Sequence, residues 1–205
     1  MDNIVFTLTS PAGGGKDLCA EMIKMHCEKI GYSAFKLAFA DAVKFHCIRN
    51  FGYLNKDTDR KILQDFGTKI RSIEEDYWVR QVYTAIDAFR SLYEIFIISD
   101  VRYENELTPS PWSLSYPIIN LYVKPHGESS LEDSEFNHES EDMANNPDLS
   151  KFHYVIDNTG DLENTYTQIV AIVNDVIDKK NDYLLLQRKL DDLLEELQED
   201  GDANE

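Results

Sequence analysis

Three consecutive glycines followed by a lysine, Gly13-Gly14-Gly15-Lys16, are the residues of this 205-residue sequence best suited by type and spacing to chemistry. That chemistry is phosphate binding. Backbone without side chains can approach phosphate oxygens with its N–H groups turned inward, and a helix starting there adds a favourable dipole. Lys16 supplies a mobile point charge for the outer phosphates. Against the pattern G-x-x-x-x-G-K-[ST], Ser10 stands in place of the first glycine and Asp17 in place of the last hydroxyl residue. A hydroxyl ligates magnesium without adding charge, whereas a carboxylate there is tolerable only with the metal between it and the phosphates.

A second group follows the run Glu94-Ile95-Phe96-Ile97-Ile98-Ser99-Asp100. Asp100 ends an apolar strand and can organise magnesium or take a substrate proton, and Arg102 can grip a phosphate in a fork of donors. Between these groups, Gln64-Asp65-Phe66-Gly67-Thr68 with Arg71 makes a chemically rich helix face. His138-Glu139-Ser140-Glu141 lacks the His-Glu-x-x-His zinc spacing, and Cys19, Cys27 and Cys47 show no C-x-x-C spacing. The cysteines read as reduced, buried thiols.

The formal net charge of −18, from 20 Lys and Arg against 38 Asp and Glu, argues against a nucleic-acid partner. An anionic small molecule must then be held by a few local cations: Lys16, Lys44, Arg71 and Arg102, with Arg60, Lys69 and Lys124 in reserve. No run reaches the roughly 18 apolar residues of a membrane span, and no basic, apolar leader opens the sequence. The cytoplasm is the expected location.

These groups need elements to position them. Ile4 to Leu8 is a short buried strand, and Leu18, Met22, Ile23 and His26 recur at helical spacing until Gly31. Phe35, Leu37 and Phe39 alternate along Ser33 to Ala40 as a second strand, and Asp41 is placed to cap the next helix. After a polar break at Asn55 to Asp59, helices are expected over Arg60–Ile73 and Asp76–Leu92. Further strands are expected at Glu94–Asp100, Ile118–Val123 and Phe152–Asn158. Thr108 to Pro117 is an irregular connection, and Gly127 to Ser150 an acidic, poorly periodic lid or insertion. The repeated β-to-α transitions suggest an α/β parallel sheet. Ile169, Ile172, Val176, Lys179, Tyr183, Leu186, Leu190, Leu193 and Leu197 then step by three and four along a long C-terminal helix.

In this order the pieces resemble the bacteriophage deoxynucleoside monophosphate kinases, a branch of the P-loop nucleoside monophosphate kinase fold. The resemblance rests on Gly15-Lys16-Asp17, Phe39-Ala40-Asp41-Ala42-Val43-Lys44, Leu63 to Thr68 with Arg71 and Trp78, Ile98 to Glu106, His138 to Glu141, and Val155 to Leu162. It covers about Asn3 to Val173. It implies a P-loop kinase-like parallel sheet flanked by helices with a long C-terminal helix. The expected domain spans 1–177 with an acidic lid about 124–151, followed by a helical extension over 178–200 and a disordered tail over 201–205.

The activity implied is transfer of the ATP γ-phosphoryl to a deoxynucleoside 5′-monophosphate, in the host cytoplasm if the gene is a phage's. Gly13, Gly14, Gly15, Lys16 and Asp17 would hold ATP, and Asp17 and Asp100 the Mg²⁺. Lys16, Asp100 and Arg102 would be catalytic, and Lys44, Gln64, Arg71 and Arg102 would bind the acceptor. A homodimer or a partner protein would use the C-terminal helix. Leu18 replaces a usual threonine, Leu107-Thr108-Pro109-Ser110-Pro111 interrupts a usual helix, and Lys124-Pro125-His126 stands where arginine is usual. Two alternatives remain: a kinase of another small acceptor such as dephospho-coenzyme A, and a degenerate P-loop module that binds nucleotide or a protein.

Overall fold

The computed structural model describes residues 3–52, 59–125 and 139–202. It divides into two units, Met1–Ile169 and Val170–Glu205. The first unit is built on a five-stranded sheet of order β2-β3-β1-β4-β5. Its strands are β1 (Ile4–Thr9), β2 (Ala34–Leu37), β3 (Ile95–Ile98), β4 (Ile118–Lys124) and β5 (Tyr154–Asp157). Every pairing is parallel. β1 and β3 are buried along their whole length, which is why both read as unbroken apolar runs rather than as alternating ones.

Around the sheet lie α1 (Lys16–Lys29), α2 (Phe39–Phe51), α3 (Arg60–Arg71), α4 (Tyr77–Phe89), α5 (Glu104–Leu107) and α6 (Glu139–Asn145). α4 buries Trp78, Val79, Val82, Tyr83 and Ile86 in one core with Val5, Phe96 and Ile98. Each large side chain so buried contributes about 1.5–3 kcal/mol. Trp78 also donates its indole N–H to the carbonyl of Gly67 at 3.0 Å, tying α3 to α4. α3 itself has no fully buried residue. It lies as a cover, with Phe66 and Ile70 partly packed on the core. The three cysteines are free and buried.

Two local expectations are corrected. The second strand stops at Leu37, and Phe39 opens α2 instead of closing the strand. The cap of α2 is not Asp41, which lies inside the first turn and pairs with Lys44 at 2.9 Å. Asp100 caps it instead, accepting from the N–H groups of Phe39 at 2.7 Å and Ala40 at 2.8 Å. A carboxylate from the end of β3 thereby satisfies two helix N-terminal donors that have no intrahelical partner.

The acidic segment is also more regular than its composition suggests. Residues 139–145 form α6, and Leu149–Lys151 a 3₁₀ turn. Tyr122 on β4 donates to the carbonyl of Ala144 at 3.1 Å and fixes α6 to that strand. Residues 126–138 of the expected lid, including His138, lie outside the described residues, as do 53–58, which hold all of the expected polar break but Asp59, and the tail residues 203–205. Gly201 and Asp202 continue the last helix, α7 (Leu162–Asp202).

The second unit consists of the rest of α7. Val173, Val176 and Ile177 are buried, while Tyr183, Leu185, Leu186 and Leu190 are more than half exposed. Among the described residues no helix is long and apolar enough to cross a membrane.

Candidate active site

Parallel α/β sheets gather ligands at the carboxyl ends of their strands. Here the ends of β1 and β3 are joined by a hydrogen bond from Val101 N–H to the Leu8 carbonyl at 3.1 Å. Beyond β1 the glycine loop turns tightly. Gly13 and Gly15 hold positive φ of 77° and 91°, and Gly14 N–H bonds back to the Pro11 carbonyl at 3.0 Å. A Cβ on Gly14 would meet Ser10 Oγ at 2.0 Å, and one on Gly15 would meet Asn158 Nδ2 at 2.3 Å. A side chain at Gly14 would therefore displace Ser10, and one at Gly15 would displace Asn158.

Asn158, just past β5, holds the loop from the other side. Its Nδ2 donates to the Gly14 carbonyl at 3.1 Å, and its Oδ1 accepts from Thr165 Oγ1 at 3.1 Å. Asn158 lies in the Val155 to Leu162 stretch, but nothing local in the sequence reveals that it reaches back to the loop.

Next to the loop is a cavity of about 230 Å³. It brings together Lys16, Asp17, Lys44, Gln64, Arg71, Asp100 and Arg102, all named from the sequence as site residues. Gly13, Gly14 and Gly15 lie outside its lining, as do the reserve cations Lys69 and Lys124. Arg60 lines the wall. One face of α3 supplies Arg60, Leu63, Gln64, Gly67, Thr68 and Arg71, spaced by three and four as one side of a helix requires.

Electrostatics at the loop end are set by burial. Desolvation lowers the pKa of Lys16 from its usual value, while Asp17, Asp100 and Glu141 pull it back up. Burial raises the Asp100 carboxyl, opposed by the Ala40 and Phe39 N–H groups and by the charges of Arg102 and Lys16. Asp17 is mostly exposed, its carboxylate 3.8 Å from the Lys16 ammonium, and Leu18 is 43% exposed.

The arginines meet two buried carboxylates that carried no assigned role in the sequence. Glu106 takes Arg71 Nη2 on Oε1 at 2.6 Å, and the N–H groups of Arg102 and Tyr103 on Oε2 at 2.7 and 3.2 Å. Burial pushes its pKa up to about 7 despite Arg71, the largest opposing influence. The Arg71 guanidinium also lies 3.8 Å over the Tyr103 ring and reaches the Glu75 carbonyl and Asn105. Glu141 accepts from Arg102 Nη1 and from Arg60 Nη2, the latter at 3.2 Å. Both pairings join distant segments, so only the fold makes them visible.

The topology and the glycine loop leading into α1 define the class: an α/β, P-loop kinase-like parallel sheet flanked by helices, with a long C-terminal helix. No protein-family model matches the chain, and no curated protein matches it in sequence. Among solved structures, the dephospho-CoA kinase from Campylobacter jejuni is 13% identical over 86% of this chain and 98% of its own, with a TM-score of 0.49. The APS kinase of Mycobacterium tuberculosis is 8% identical over 85% of this chain and 99% of its own, with a TM-score of 0.42.

Proposed function

We propose that the protein transfers the γ-phosphoryl group of ATP to the 5′-phosphate of a deoxynucleoside monophosphate, giving the diphosphate and ADP. The observation that carries this reading is one cavity at the strand ends that gathers Lys16, Asp100, Arg102 and a whole face of α3. An oxygen of the acceptor phosphate attacks the γ-phosphorus in line, and the bond to the ADP oxygen breaks. The attacking oxygen is already anionic, so no strong general base is required. That suits a site in which Asp100 accepts from two backbone donors and Glu106 from Arg71 and two backbone N–H groups. A hydroxyl acceptor, as in a dephospho-coenzyme A kinase, would need a base within reach of its proton.

In this reading the glycine loop and Lys16 hold the donor phosphates, and the buried ammonium is worth more there than in water. The positive φ of Gly13 and Gly15 fits a tight glycine turn of the kind that aims backbone N–H groups at a phosphate. Magnesium usually takes one or two carboxylates plus phosphate oxygens, and Asp17 and Asp100 offer such hard donors beside Lys16. When bound, it neutralises charge on the donor phosphates. Arg102 positions the acceptor phosphate, with Lys44 and Arg71 nearby. Gln64 and Thr68, one helical turn apart in a lining that also includes apolar Leu63 and Val43, suit the neutral part of the acceptor.

The test is product analysis with ATP, magnesium and a panel of acceptors. Diphosphate formed from at least one deoxynucleoside monophosphate supports the reading. Transfer only to hydroxyl acceptors such as dephospho-coenzyme A overturns it, and ATP binding without any transfer favours a nucleotide-binding module.

A further inference from the structure

We propose that Arg60 and Arg102 form a two-guanidinium anion clamp in which the Glu141 carboxylate is the resident occupant, to be displaced by the phosphate of the acceptor. Arg60 starts α3, Arg102 follows β3, and Glu141 lies on α6, so three separate elements converge on one point of the cavity wall. Both guanidinium groups bond to the same oxygen, Glu141 Oε1. The other oxygen, Oε2, is buried with no hydrogen-bond partner among the described residues. Glu141 itself is fully buried.

A carboxylate well matched to guanidinium uses both oxygens in a fork. Here one oxygen serves two arginines and the other serves none, which marks the carboxylate as an imperfect occupant. A phosphate monoester offers more acceptor oxygens, tetrahedrally arranged, and a charge near −2. It can satisfy both guanidinium groups without stranding an acceptor. The position also suits transfer, since the Glu141 charge is felt at Lys16 on the donor side. Exchange of one anion for another keeps the two arginines compensated in the absence of ligand, when unpaired they would repel each other. It also means that the acceptor phosphate binds only the fraction of molecules in which Glu141 has left. Arg60 thereby joins Arg102 as a residue that positions the acceptor.

The natural ligand in this proposal rests on the kinase reading above, but the test needs neither ATP nor turnover. Binding of inorganic phosphate to the full chain is measured by calorimetry for wild type, Glu141→Gln, Arg60→Gln and the double variant. If the Glu141-occupied state outnumbers the open one by about ten to one, Glu141→Gln tightens phosphate binding about tenfold. Adding Arg60→Gln to Glu141→Gln removes that gain. Phosphate affinity unchanged or weakened in a folded Glu141→Gln overturns the proposal, as does a gain that survives loss of Arg60. Phosphate held by the glycine loop instead would gain from loss of the Glu141 charge near Lys16 but keep that gain when Arg60 is also replaced. Should Glu141→Gln fail to fold, wild-type hydrogen exchange decides the matter. Amides of α6 exchange faster with phosphate if Glu141 is expelled; unchanged or slower exchange refutes the displacement. Failure of every acceptor in the turnover panel would leave these outcomes readable, so the two ideas fail separately.

Discussion

The Asn158 side chain donates to the carbonyl oxygen of Gly14 at 3.1 Å, tying the end of the last strand to the loop after the first. The loop's shape is thus held from outside its own sequence.

Asn158→Ala should loosen that loop. It strands the buried Gly14 carbonyl, while the Thr165 hydroxyl keeps the Asp161 carbonyl at 3.2 Å, and leaving such a group unsatisfied costs about 1–3 kcal/mol. A lower urea midpoint is expected, together with a KM for ATP raised about tenfold and a smaller change for the acceptor. Equal effects on both substrates would mean that Asn158 supports the fold at large and not the loop.

Glu106 gives stability a pH dependence with a definite sign. Its folded pKa is raised from 4.5 to about 7, so the folded chain keeps a proton that the unfolded chain has released. That contribution is fully present below pH 4.5 and is lost as pH rises through about 7. Urea unfolding between pH 4.5 and 7 should therefore show wild type losing stability more steeply than Glu106→Gln. The variant loses the Arg71 pairing at every pH, so the difference in slope is the readout. Parallel slopes would show that Arg71 and the backbone donors keep Glu106 an ordinary carboxylate.

Much of the architecture was legible because its signals are local. The apolar runs of β1 and β3 and the glycines before Lys16 each announce their own conformation. The failure at Phe39 is instructive. Phe35, Leu37 and Phe39 keep the period of a strand, but Asp100, far along the chain, supplies the acceptors for the N–H groups that start a helix there. Asp41 looked like the cap because a cap is normally sought beside its helix. The cavity's cations were legible from charge type and scarcity; their partners Glu106 and Glu141 were not, since in an acidic chain one buried glutamate looks like any exposed one. α6 was hidden for the same reason, being short and acidic and held by a tyrosine on β4.

Arg102→Lys keeps the charge but loses the planar fork. The expected signature is a KM for the acceptor raised about tenfold or more with the KM for ATP nearly unchanged. If both rise together, or neither moves, Arg102 serves only its pairing with Glu141.

The exposed apolar side chains Tyr183, Leu185, Leu186 and Leu190 call for a partner. The acidic stretch from Asp191 to Asp200 disfavours a long parallel pair, whereas an antiparallel pair brings it towards Lys179, Lys180, Arg188 and Lys189. A homodimer through this helix is the proposal. Sedimentation should show the full chain as a dimer and a chain ending at Asn181 as a monomer. Monomers in both cases refute self-association, and dimers in both place the interface elsewhere.

Lys16, at the junction of the glycine loop and α1, is proposed to clamp a phosphoryl group in transfer. That role is tested most directly by the initial rate of ADP formation from ATP with an accepted monophosphate, comparing wild type with Lys16→Ala at matched unfolding midpoints. Loss of that charge from a desolvated site should slow transfer by about 100-fold or more. A folded Lys16→Ala that turns over at the wild-type rate would contradict the account.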